Sequence, residues 1–522
     1  MTAPAEVTDP RLAPPRWDPA MRAKRSTVIM LVVLNVGLSV WYLSWLLQPQ
    51  RVGNPWLYGA IVAAEAFNLI QGISFWWTAL GDRNGVAARP SHHLPRSRVD
   101  VLIPVCGEPL EVVEPTVIAA GRLSGGHDVQ VLLLDDGDDP EMECMAARHG
   151  ARYVRRSEHT GAKAGNINHA LGITDAEFVV VFDCDHVPVP EFLDATLGHF
   201  SDDGVAFVQT PQYYANEVDG GIPAASSAQQ QLFFGIICRG KAGRNSVFCC
   251  GTNVVFRRSA LDDIGGFPED SVTEDFALSI RLHSRGWSSR YVAEVLASGL
   301  GPEDMASYVS QQRRWARGCL DAIPVALRTR LPMGQRLQYL ASSMYFLSGW
   351  TVAIYMAMPV IRLFGGGQPV ATASADAFLT HFGPYFLCSL ATVAIASEGS
   401  LTFAGFSLSA ANFGVHIRAS LLTLARRRGR FVVTPKRGAS GRQFRPIGAT
   451  LVAGAILMLA IVWGLVGDQS PGTLNNIAFA AIHVAILTAG VLPALSTNRS
   501  LASVPQEEHV IDLRQTDAEA AA

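Results

Sequence analysis

The chain has 522 residues, a formal net charge of −3 and 49% hydrophobic residues. This length is sufficient for more than one domain, and the balanced charge argues against a nucleic-acid-binding surface along the chain, so no nucleic-acid partner is predicted. The eight cysteines contain no C-x-x-C pair, which favours reduced thiols over a zinc site or a disulfide framework.

Six apolar runs are long enough to cross a bilayer as helices, which requires about 20 residues. They cover residues 26–47, 56–80, 337–361, 377–396, 446–467 and 474–495. Lys and Arg are concentrated before the first run and between the fourth and the fifth, and are absent from the short connections near 365–376 and 468–473. The positive-inside rule then predicts that both termini and the region 81–335 are cytoplasmic. We expect a multi-pass protein of the inner (plasma) membrane whose main partner is the lipid bilayer.

Between the second and third runs the pattern changes to short apolar strands that alternate with helices. The predicted strands are 99–104, 129–134, 151–154, 178–182 and 205–209, and the predicted helices are 110–122, 141–149 and 164–171. Such alternation favours a mainly parallel sheet. We therefore predict an α/β domain over residues 97–300, inserted in a polytopic α-helical membrane domain.

The apolar strand at 178–182 ends in Asp183-Cys184-Asp185. Open α/β sheets bind ligands at the carboxyl ends of their strands. In an extended segment alternate residues share a face, so both carboxylates would point the same way, and like charges that close need a cation, an Arg or an altered pKa. Two carboxylates, completed by water and phosphate oxygens, suit Mg²⁺ or Mn²⁺ bound through a nucleotide diphosphate. The alternative is a polar strand end before a turn at Pro188.

Two loops after strands or turns carry candidate donor-binding residues. Asp135-Asp136-Gly137 follows a strand, and its carboxylate could accept hydrogen bonds from a base or a ribose, although Asp and Gly are also common turn residues. Lys163 lies among small residues in the segment 159–166, where it could approach a phosphate closely. The segment lacks the spacing of a P-loop, and an exposed loop lysine is the alternative.

Two helical segments carry the remaining candidates. Thr273-Glu274-Asp275 opens an amphipathic helix, so Thr273 could be its N-cap with the acids near the positive helix end. In a functional interpretation Asp275 is a general base for an attacking hydroxyl. In Gln311-Gln312-Arg313-Arg314-Trp315, the Trp offers a flat face to a sugar and Arg314 a fork to phosphate oxygens. The alternative is a membrane-interface Trp and Arg.

Four motifs, the three acidic ones and Gln-x-x-Arg-Trp, occur in this order and between membrane spans. Together they resemble the processive glycosyltransferases of family 2, and among them the bacterial cellulose synthase catalytic subunits. The resemblance covers roughly residues 30–495. Linking segments also match, namely Lys163-Ala164-Gly165-Asn166, Asp185-His186-Val187-Pro188, Gln209-Thr210-Pro211, Gly265-Gly266-Phe267 and His283-Ser284-Arg285-Gly286-Trp287. Each segment is weakly specific, but the joint match is highly specific.

The resemblance implies a GT-A fold that faces the cytoplasm, a UDP-sugar donor, and an inverting single displacement assisted by Mg²⁺ or Mn²⁺. On the donor side, it implies that Asp136 and Lys163 hold the uridine and diphosphate. Asp183 and Asp185 would hold the donor and the metal, with Asp185 as the direct metal ligand.

For the acceptor side, the resemblance implies that Asp275 is the catalytic base and that Gln311, Arg314 and Trp315 lie at the diphosphate and the acceptor end. Cys250 belongs to a segment, 248–252, that matches the family's segment near the acceptor sugar. The segment 431–436 matches the family's gating loop over bound UDP, with Thr434 and Lys436 as substrate-binding residues.

Three features depart from the family. Cys106 replaces an aromatic ring that helps to hold the uracil, in a segment that ends with the substrate-binding candidate Glu108. Cys249 replaces the second Phe of the acceptor segment. We also expect no cyclic-di-GMP-binding PilZ domain after the sixth span, so control by that messenger would need a separate subunit.

The predicted organisation has eight parts. They are a cytoplasmic tail (1–25), two transmembrane helices (26–80), the GT-A domain (97–300), amphipathic interface helices (301–335), two transmembrane helices (336–398), an interface helix with the gating loop (402–445), two transmembrane helices (446–495) and a tail (496–522).

The predicted function is polymerisation of UDP-glucose into a cellulose-like β-1,4-glucan and export of the growing polysaccharide, with room for accessory export subunits. One alternative is another β-linked polysaccharide, made from UDP-N-acetylglucosamine or as a different β-glucan. Others are a non-processive lipid glycosyltransferase and, from a different class, a transporter with a cytoplasmic regulatory domain.

Overall fold

The computed structural model describes residues 24–83, 88–90, 92–123, 125–371, 374–400, 402–426, 431–432, 443–467, 469–495 and 510–511. The described chain begins with two long apolar helices, α1 (Arg25–Leu46) and α2 (Pro55–Ala79). Asn54 caps α2 by accepting hydrogen bonds from the N–H groups of Trp56 and Leu57, and Pro55 takes the first helical position, where no N–H is needed.

The part of the chain that the structure describes contains twelve short strands. They are β1 (Arg98–Val105), β2 (Asp128–Asp135), β3 (Arg152–Arg155), β4 (Phe178–Val181), β5 (Val187–Pro188), β6 (Val205–Gln209), β7 (Tyr213–Tyr214), β8 (Val254–Arg257), β9 (Ser288–Tyr291), β10 (Ala297–Gly299), β11 (Phe431–Val432) and β12 (Val510–Ile511).

Seven of these strands form the central sheet, in the order β3-β2-β1-β4-β8-β6-β9. The pairs β1–β2, β2–β3, β1–β4 and β6–β9 are parallel, whereas β8 runs antiparallel to both β4 and β6. A smaller sheet has the order β5-β10-β7, and β11 pairs with β12. The predicted mainly parallel sheet is therefore confirmed, with one antiparallel strand near its middle.

The helices of this α/β domain cover both faces of the sheet. They are α3 (Leu110–Ala120), α4 (Pro140–Arg148), α5 (Ala162–Gly172), α6 (Phe192–Thr196), α7 (Gly221–Leu232), α8 (Cys238–Ala242), α9 (Arg258–Asp263) and α10 (Glu274–Ser284). Side chains of a strand alternate between faces, so Val101 and Ile103 of β1 enter one core while Leu102 enters the other. Burial on both faces explains why β4 consists only of apolar residues.

The C-terminal half is helical. It contains α11 (Met305–Asp321), α12 (Ile323–Arg328), α13 (Met333–Met344), α14 (Ser348–Gly365), α15 (Ala375–Ala396), α16 (Phe403–Ala411), α17 (Phe413–Leu424), α18 (Gly448–Val466) and α19 (Pro471–Leu495). Short 3-10 turns lie at Pro49–Arg51, Leu197–Ser201, Ala215–Asp219 and Tyr345–Leu347, and a π-helical turn at Phe233–Ile237 joins α7 to α8.

Six helical segments of the described chain are long and apolar enough to cross a membrane. Five are single helices, and the third, Met333–Gly365, consists of α13 and α14 joined by a 3-10 turn. Within the bundle, α1 packs on α15, and α18 packs on α19 and α14. The predicted six spans agree with these segments to within a few residues.

Buried charge joins the α/β domain to the membrane helices. The guanidinium of Arg239 on α8 is almost fully buried and pairs with Glu398 at 2.8 Å and with Asp82 at 3.3 Å, beyond the ends of α15 and α2 respectively. Arg244 donates to the carbonyl of Trp77 at 2.8 Å through Nε. Because these charges are satisfied only when both parts are in contact, they define how the domain meets the bundle.

The structure also departs from the predicted elements. The strands β8 and β9 were not predicted, and the single interface helix predicted within 402–445 is two helices, α16 and α17, divided at Asn412. The strand β4 ends at Val181, and Asp183 begins a turn in which the N–H of His186 donates to the Asp183 carbonyl at 2.9 Å. The expectation that Asp183 and Asp185 share the face of an extended segment was therefore wrong.

Candidate active site

The candidate site is a cleft at the carboxyl edge of the central sheet. Here β1 has β2 on one side and β4 on the other, so the connections after these strands diverge and leave a crevice between them. The cleft encloses about 1400 Å³, including the part open to solvent. Its walls come from the turns after β1, β2 and β4, from the first turns of α5 and α10, and from α11.

On one wall a buried ion pair joins Asp136, after β2, to Arg156, after β3. Nε of Arg156 donates to Oδ1 of Asp136 and Nη2 donates to Oδ2, each at 2.7 Å. Only 4% of the Asp136 side chain and 6% of the Arg156 side chain are exposed. Nearby, the N–H of Cys106 donates to Oε2 of Glu108 at 2.6 Å, so the turn after β1 is closed by its own glutamate.

Lys163 lies in the first turn of α5 and crosses the cleft floor. Its Nζ forms a short ion pair with Oδ1 of Asp183 and donates to the carbonyl of Gly251 at 2.8 Å. Burial lowers the pKa of Lys163, but the carboxylates of Asp183 and Glu274 outweigh this effect and hold the pKa above its ordinary value. Lys163 is therefore a permanent positive charge at the centre of the cleft.

Asp183, Asp185 and His186 form a compact group that could hold a cation. One ligand atom from each lies within 4.8 Å of the others. The Asp185 side chain is fully buried and its Oδ1 lies 3.1 Å from Nδ1 of His186. Within the described chain, Nε2 of His186 is buried without a hydrogen-bond partner, and its ring lies so close to Gly299 that a Cβ there would overlap it.

This donor set fits a divalent ion. Carboxylate oxygens suit Mg²⁺ and Mn²⁺, and neutral imidazole is a common metal ligand. The unpartnered Nε2 of His186 is an atom that a ligand would satisfy, because a buried polar group without a partner is costly. His186 was not among the predicted site residues, although it directly follows the second acid. Cys184, between the acids, is 2% exposed and packs in the core of the sheet.

The opposite wall carries Asp275 in the first turn of α10. Asp275 is partly exposed to the cleft, yet burial raises its pKa to about 7, and the neighbouring carboxylate of Glu274 adds to this shift. The N–H of Phe276, followed by Arg314 and Lys163, opposes the shift. A carboxyl with a pKa near neutrality can accept a proton at physiological pH, as general base catalysis requires. Thr273 takes the N-cap position without a side-chain capping bond.

Gly251 connects the two walls. Its φ of +83° lies in the region that favours glycine. A Cβ there would lie 3.2 Å from Oδ2 of Asp275 and 3.8 Å from Nζ of Lys163. Both side chains therefore approach the same backbone position, and the absence of a side chain leaves that space to a ligand. The preceding Cys250 lines the cleft, and its N–H donates to Oε1 of Gln209 at 2.9 Å.

Helix α11 closes the remaining side with Gln311, Arg314 and Trp315. These residues share one face because positions three and four apart are neighbours on a helix. The helix lies close to the turn before α10, since a Cβ at Gly318 would overlap the side chain of Thr273. Asp304 caps α11 by accepting from the N–H of Ser307 at 2.8 Å.

The structure brings together nine of the predicted catalytic and substrate-binding residues around one cleft. They are Glu108, Asp136, Lys163, Asp183, Cys250, Asp275, Gln311, Arg314 and Trp315. Asp185 lies directly behind them, while Thr434 and Lys436 lie outside the described residues. The roles assigned to all these residues stay predictions. Arg156 was missed, although its place at the end of a predicted strand would have put it at the same sheet edge as Asp136.

The sequence is similar to characterised proteins along most of its length. The family described as glycosyl transferase family group 2 matches residues 178–397. The chain is 31% identical over 519 residues to the cellulose synthase catalytic subunit [UDP-forming] of Komagataeibacter sucrofermentans, covering 93% of this chain and 68% of that protein. This chain belongs to the family of cellulose synthase catalytic subunits.

Other members of this family are longer. The chain is 31% identical over 477 residues to cellulose synthase 1 of Komagataeibacter xylinus, which covers 88% of this chain but only 31% of that protein. Among solved structures, a mannosyltransferase from Pyrobaculum calidifontis in complex with GDP-mannose and Mn²⁺ matches with a TM-score of 0.49 and 17% identity, covering 71% of this chain and 100% of that one. For this chain, family membership identifies the α/β domain as a GT-A domain within a membrane protein.

Proposed function

We propose that this member of the cellulose synthase family is an inverting glycosyltransferase that polymerises UDP-glucose into a β-1,4-glucan and exports the product across the inner membrane. The observation that carries the proposal is the single cleft in which Lys163, the Asp183 group, Asp275 and Arg314 converge. Transfer from a sugar nucleotide needs positive charge at the departing diphosphate and a base at the acceptor hydroxyl that attacks the anomeric carbon. The cleft has both on opposite walls.

The donor would lie along the wall formed by Glu108, Asp136 and Lys163, with its diphosphate near Asp183 and Asp185. Cys106 and Glu108 border the part of this wall beside Asp136, where the uracil ring of the donor would lie. Lys163 and Arg314 contribute positive charge from opposite sides of the cleft. A divalent ion, Mg²⁺ or Mn²⁺, held by Asp185 with Asp183 and His186, would neutralise charge on the departing diphosphate.

The acceptor hydroxyl would lie against Asp275, near Cys250 and Trp315. Asp275 takes the hydroxyl proton while the acceptor oxygen bonds to the anomeric carbon, and the bond from that carbon to the phosphate oxygen breaks. UDP leaves with the electron pair, and the configuration at the carbon inverts because the acceptor oxygen attacks from the face opposite UDP. Trp315 offers an aromatic face on which the terminal sugar can stack. The predicted Thr434 and Lys436 would act after transfer, when UDP is exchanged for a new donor.

Membrane insertion supports a coupled role in synthesis and export. The α/β domain is bracketed by helices long enough to span a membrane and is tied to them by the buried Arg239 contacts. Basic residues on the domain side, among them Arg418 within α17 and Arg426 just after it, support a cytoplasmic cleft. The partners would be the UDP-sugar, the growing polysaccharide, lipid and accessory export subunits.

Membrane vesicles that contain the protein test this proposal. Supplied with radiolabelled UDP-glucose and Mg²⁺, they are expected to release UDP and to form a polymer that a β-1,4-specific hydrolase degrades. Vesicles carrying Asp275→Asn are the matched control and should form no polymer. Product from UDP-N-acetylglucosamine, or polymer that resists this hydrolase, would favour another β-linked polysaccharide. A single sugar on a lipid would favour a non-processive transferase, and no UDP release from any donor would overturn the proposal.

A further inference from the structure

The wall formed by Glu108, Asp136 and Lys163 is called the donor wall. The buried side chain of Arg156 joins two parts of this wall that are far apart in sequence. Besides its two bonds to Asp136, Nη1 donates to the carbonyl of Thr160 at 2.6 Å and Nη2 donates to the carbonyl of Ala162 at 3.0 Å. Four hydrogen bonds thus leave one planar guanidinium, two toward the loop after β2 and two toward the turn that begins α5. Lys163 is the next residue after Ala162.

The turn that Arg156 contacts has an unfavourable backbone conformation. Gly161 has a φ of +70°, and Ala162, which carries a Cβ, has a φ of +47°. An alanine rarely adopts this left-handed region because its Cβ crowds the following carbonyl. A conformation of this kind persists when the surrounding structure holds it, and it is commonest at functional sites. The bonds from Arg156 to the carbonyls on either side of Gly161 supply that support.

The close packing around the guanidinium leaves no space for a larger neighbour. A Cβ at Gly165, one turn into α5, would lie 2.7 Å from Nη1 of Arg156 and would overlap the carbonyl oxygen of Thr160. In contrast, a Cβ at Gly172, at the other end of the same helix, would meet nothing within 4 Å. The start of α5 is therefore built around the Arg156 side chain.

We propose that Arg156 is a positioning residue that sets the distance between Asp136 and Lys163, so that the two ends of a nucleoside diphosphate are bound together. The inference rests on the proposed function of this wall in holding a UDP-sugar. Arginine suits the task because its flat fork can bond a carboxylate and two carbonyls at once, whereas lysine is a point charge on a flexible stem. Arg156 itself acts through Asp136 and through the turn before Lys163.

The main test compares Arg156→Lys with the wild type in membrane vesicles. We expect the KM for the UDP-sugar and the inhibition constant of UDP to rise at least tenfold, while kcat at saturating donor falls less than threefold. In Arg156→Lys, inhibition by uridine, which lacks phosphates, should weaken as well. In Lys163→Gln, by contrast, inhibition by UDP should weaken while inhibition by uridine stays unchanged. The matched control is Arg155→Lys, because Arg155 is exposed and its nearest carboxylate, on Asp138, is 3.7 Å away. This control should leave all constants within twofold.

A rescue variant separates positioning from general loss of stability. Because glycine adopts positive φ readily, adding Ala162→Gly to Arg156→Lys should recover at least a threefold improvement in KM. A role confined to stability would lower the thermal inactivation temperature without this recovery in KM, and that result would overturn the inference. Unchanged KM and UDP inhibition in Arg156→Lys would also overturn it.

Gly165→Ala provides an independent test if Arg156→Lys does not fold. It should raise the KM for the donor, with Gly172→Ala as its control on the same helix, and equal constants for these two variants would contradict the inference. Wild-type vesicles distinguish failure of the proposed function from failure of the positioning role of Arg156. If they show neither transfer nor binding of UDP, the proposed function fails. If they show both and the Arg156 and Gly165 variants match the wild type, only the positioning role fails.

Discussion

The two walls of the cleft hold their carboxylates in opposite ways. On the donor side, which is the donor wall together with Asp183, each of the two acids faces a cation. Asp136 is paired with Arg156, and Asp183 is paired with Lys163. On the base side, Asp275 has another carboxylate, that of Glu274, as its neighbour in sequence, and burial raises its pKa to about 7. Both walls carry the same residue type, and their surroundings give these acids different electrostatic environments.

The difference follows from how burial and pairing act on an acid. A carboxylate beside a cation is stabilised in its charged form, whereas a buried carboxylate beside a like charge is stabilised in its protonated form. Acids of the first kind hold a ligand in a fixed place. An acid of the second kind can exchange a proton near neutral pH. We therefore propose that the donor side binds the donor and that the base side transfers the proton.

The largest effect is expected from Asp275→Asn. Asparagine keeps the shape of the side chain but cannot accept the proton, so the rate of transfer should fall by about 10²–10⁴-fold, the usual contribution of a general base. UDP binding should stay within about threefold of wild type, because the donor side is unchanged. Polymer synthesis and UDP binding, measured on the same vesicles, check this result. Near-normal synthesis would show that Asp275 is not the base.

A smaller loss, about 10²-fold or more, is expected from Asp185→Ala. Removal of the proposed metal ligand should abolish the stimulation by Mg²⁺ or Mn²⁺ together with most activity, since even the residues that hydrogen-bond to metal ligands commonly contribute about 10–100-fold to metal affinity or activity. Mn²⁺ binding to the purified protein gives a readout that does not depend on catalysis. Cys144→Ala is the control, because Cys144 is exposed on α4 and does not line the cleft. Wild-type turnover of Asp185→Ala without metal would exclude this site.

Gly318→Ala tests the contact that brings α11 to the base side. Alanine is normally the better helix former by about 1 kcal/mol, but here its Cβ would overlap Thr273. We expect α11 to shift and the rate of transfer to fall by roughly 10-fold, because small displacements of positioned groups are costly in catalysis. Gly172→Ala, on an open helix position, should have no effect. Adding Thr273→Ala should restore part of the rate, and no recovery would indicate another cause.

The smallest effect is a shift in pH dependence. Burial and the neighbouring Glu274 raise the pKa of Asp275 to about 7. Because Asp275 must be ionised to act as a base, kcat/KM should rise as the pH increases through about 7. Glu274→Gln removes the like charge and should move this limb to lower pH by up to about one unit. Profiles of kcat/KM between pH 5 and 9 check the direction. A shift to higher pH would contradict the role of Glu274.

Much of this architecture could be predicted from local patterns. The six membrane segments have apolar runs of bilayer length, and β1, β2, β4 and β6 are apolar runs between turn signals. The strands β8 and β9 were missed. Each has only four residues, and Ser288–Tyr291 is mostly polar, so their pairing depends on neighbours in the sheet.

The candidate site shows the same division. Motif order alone pointed to Lys163, Asp183, Asp275 and Trp315 as one set. It did not reveal that Asp136 is held by Arg156, because that ion pair joins turns after two different strands. It also did not place His186 beside Asp185 with an unpartnered Nε2, since this depends on the approach of Gly299 from β10.

The sequence by itself determined the membrane segments, the α/β alternation and the identity of the acids in the cleft, because these depend on residue type and local period. Only the tertiary structure decided which acid is paired with a cation and which acid titrates near neutral pH. Charge state depends on burial and on the sign of the nearest charges, and both come from residues distant in sequence. The same residue type thus acquires a paired and an unpaired environment only after the chain has folded around it.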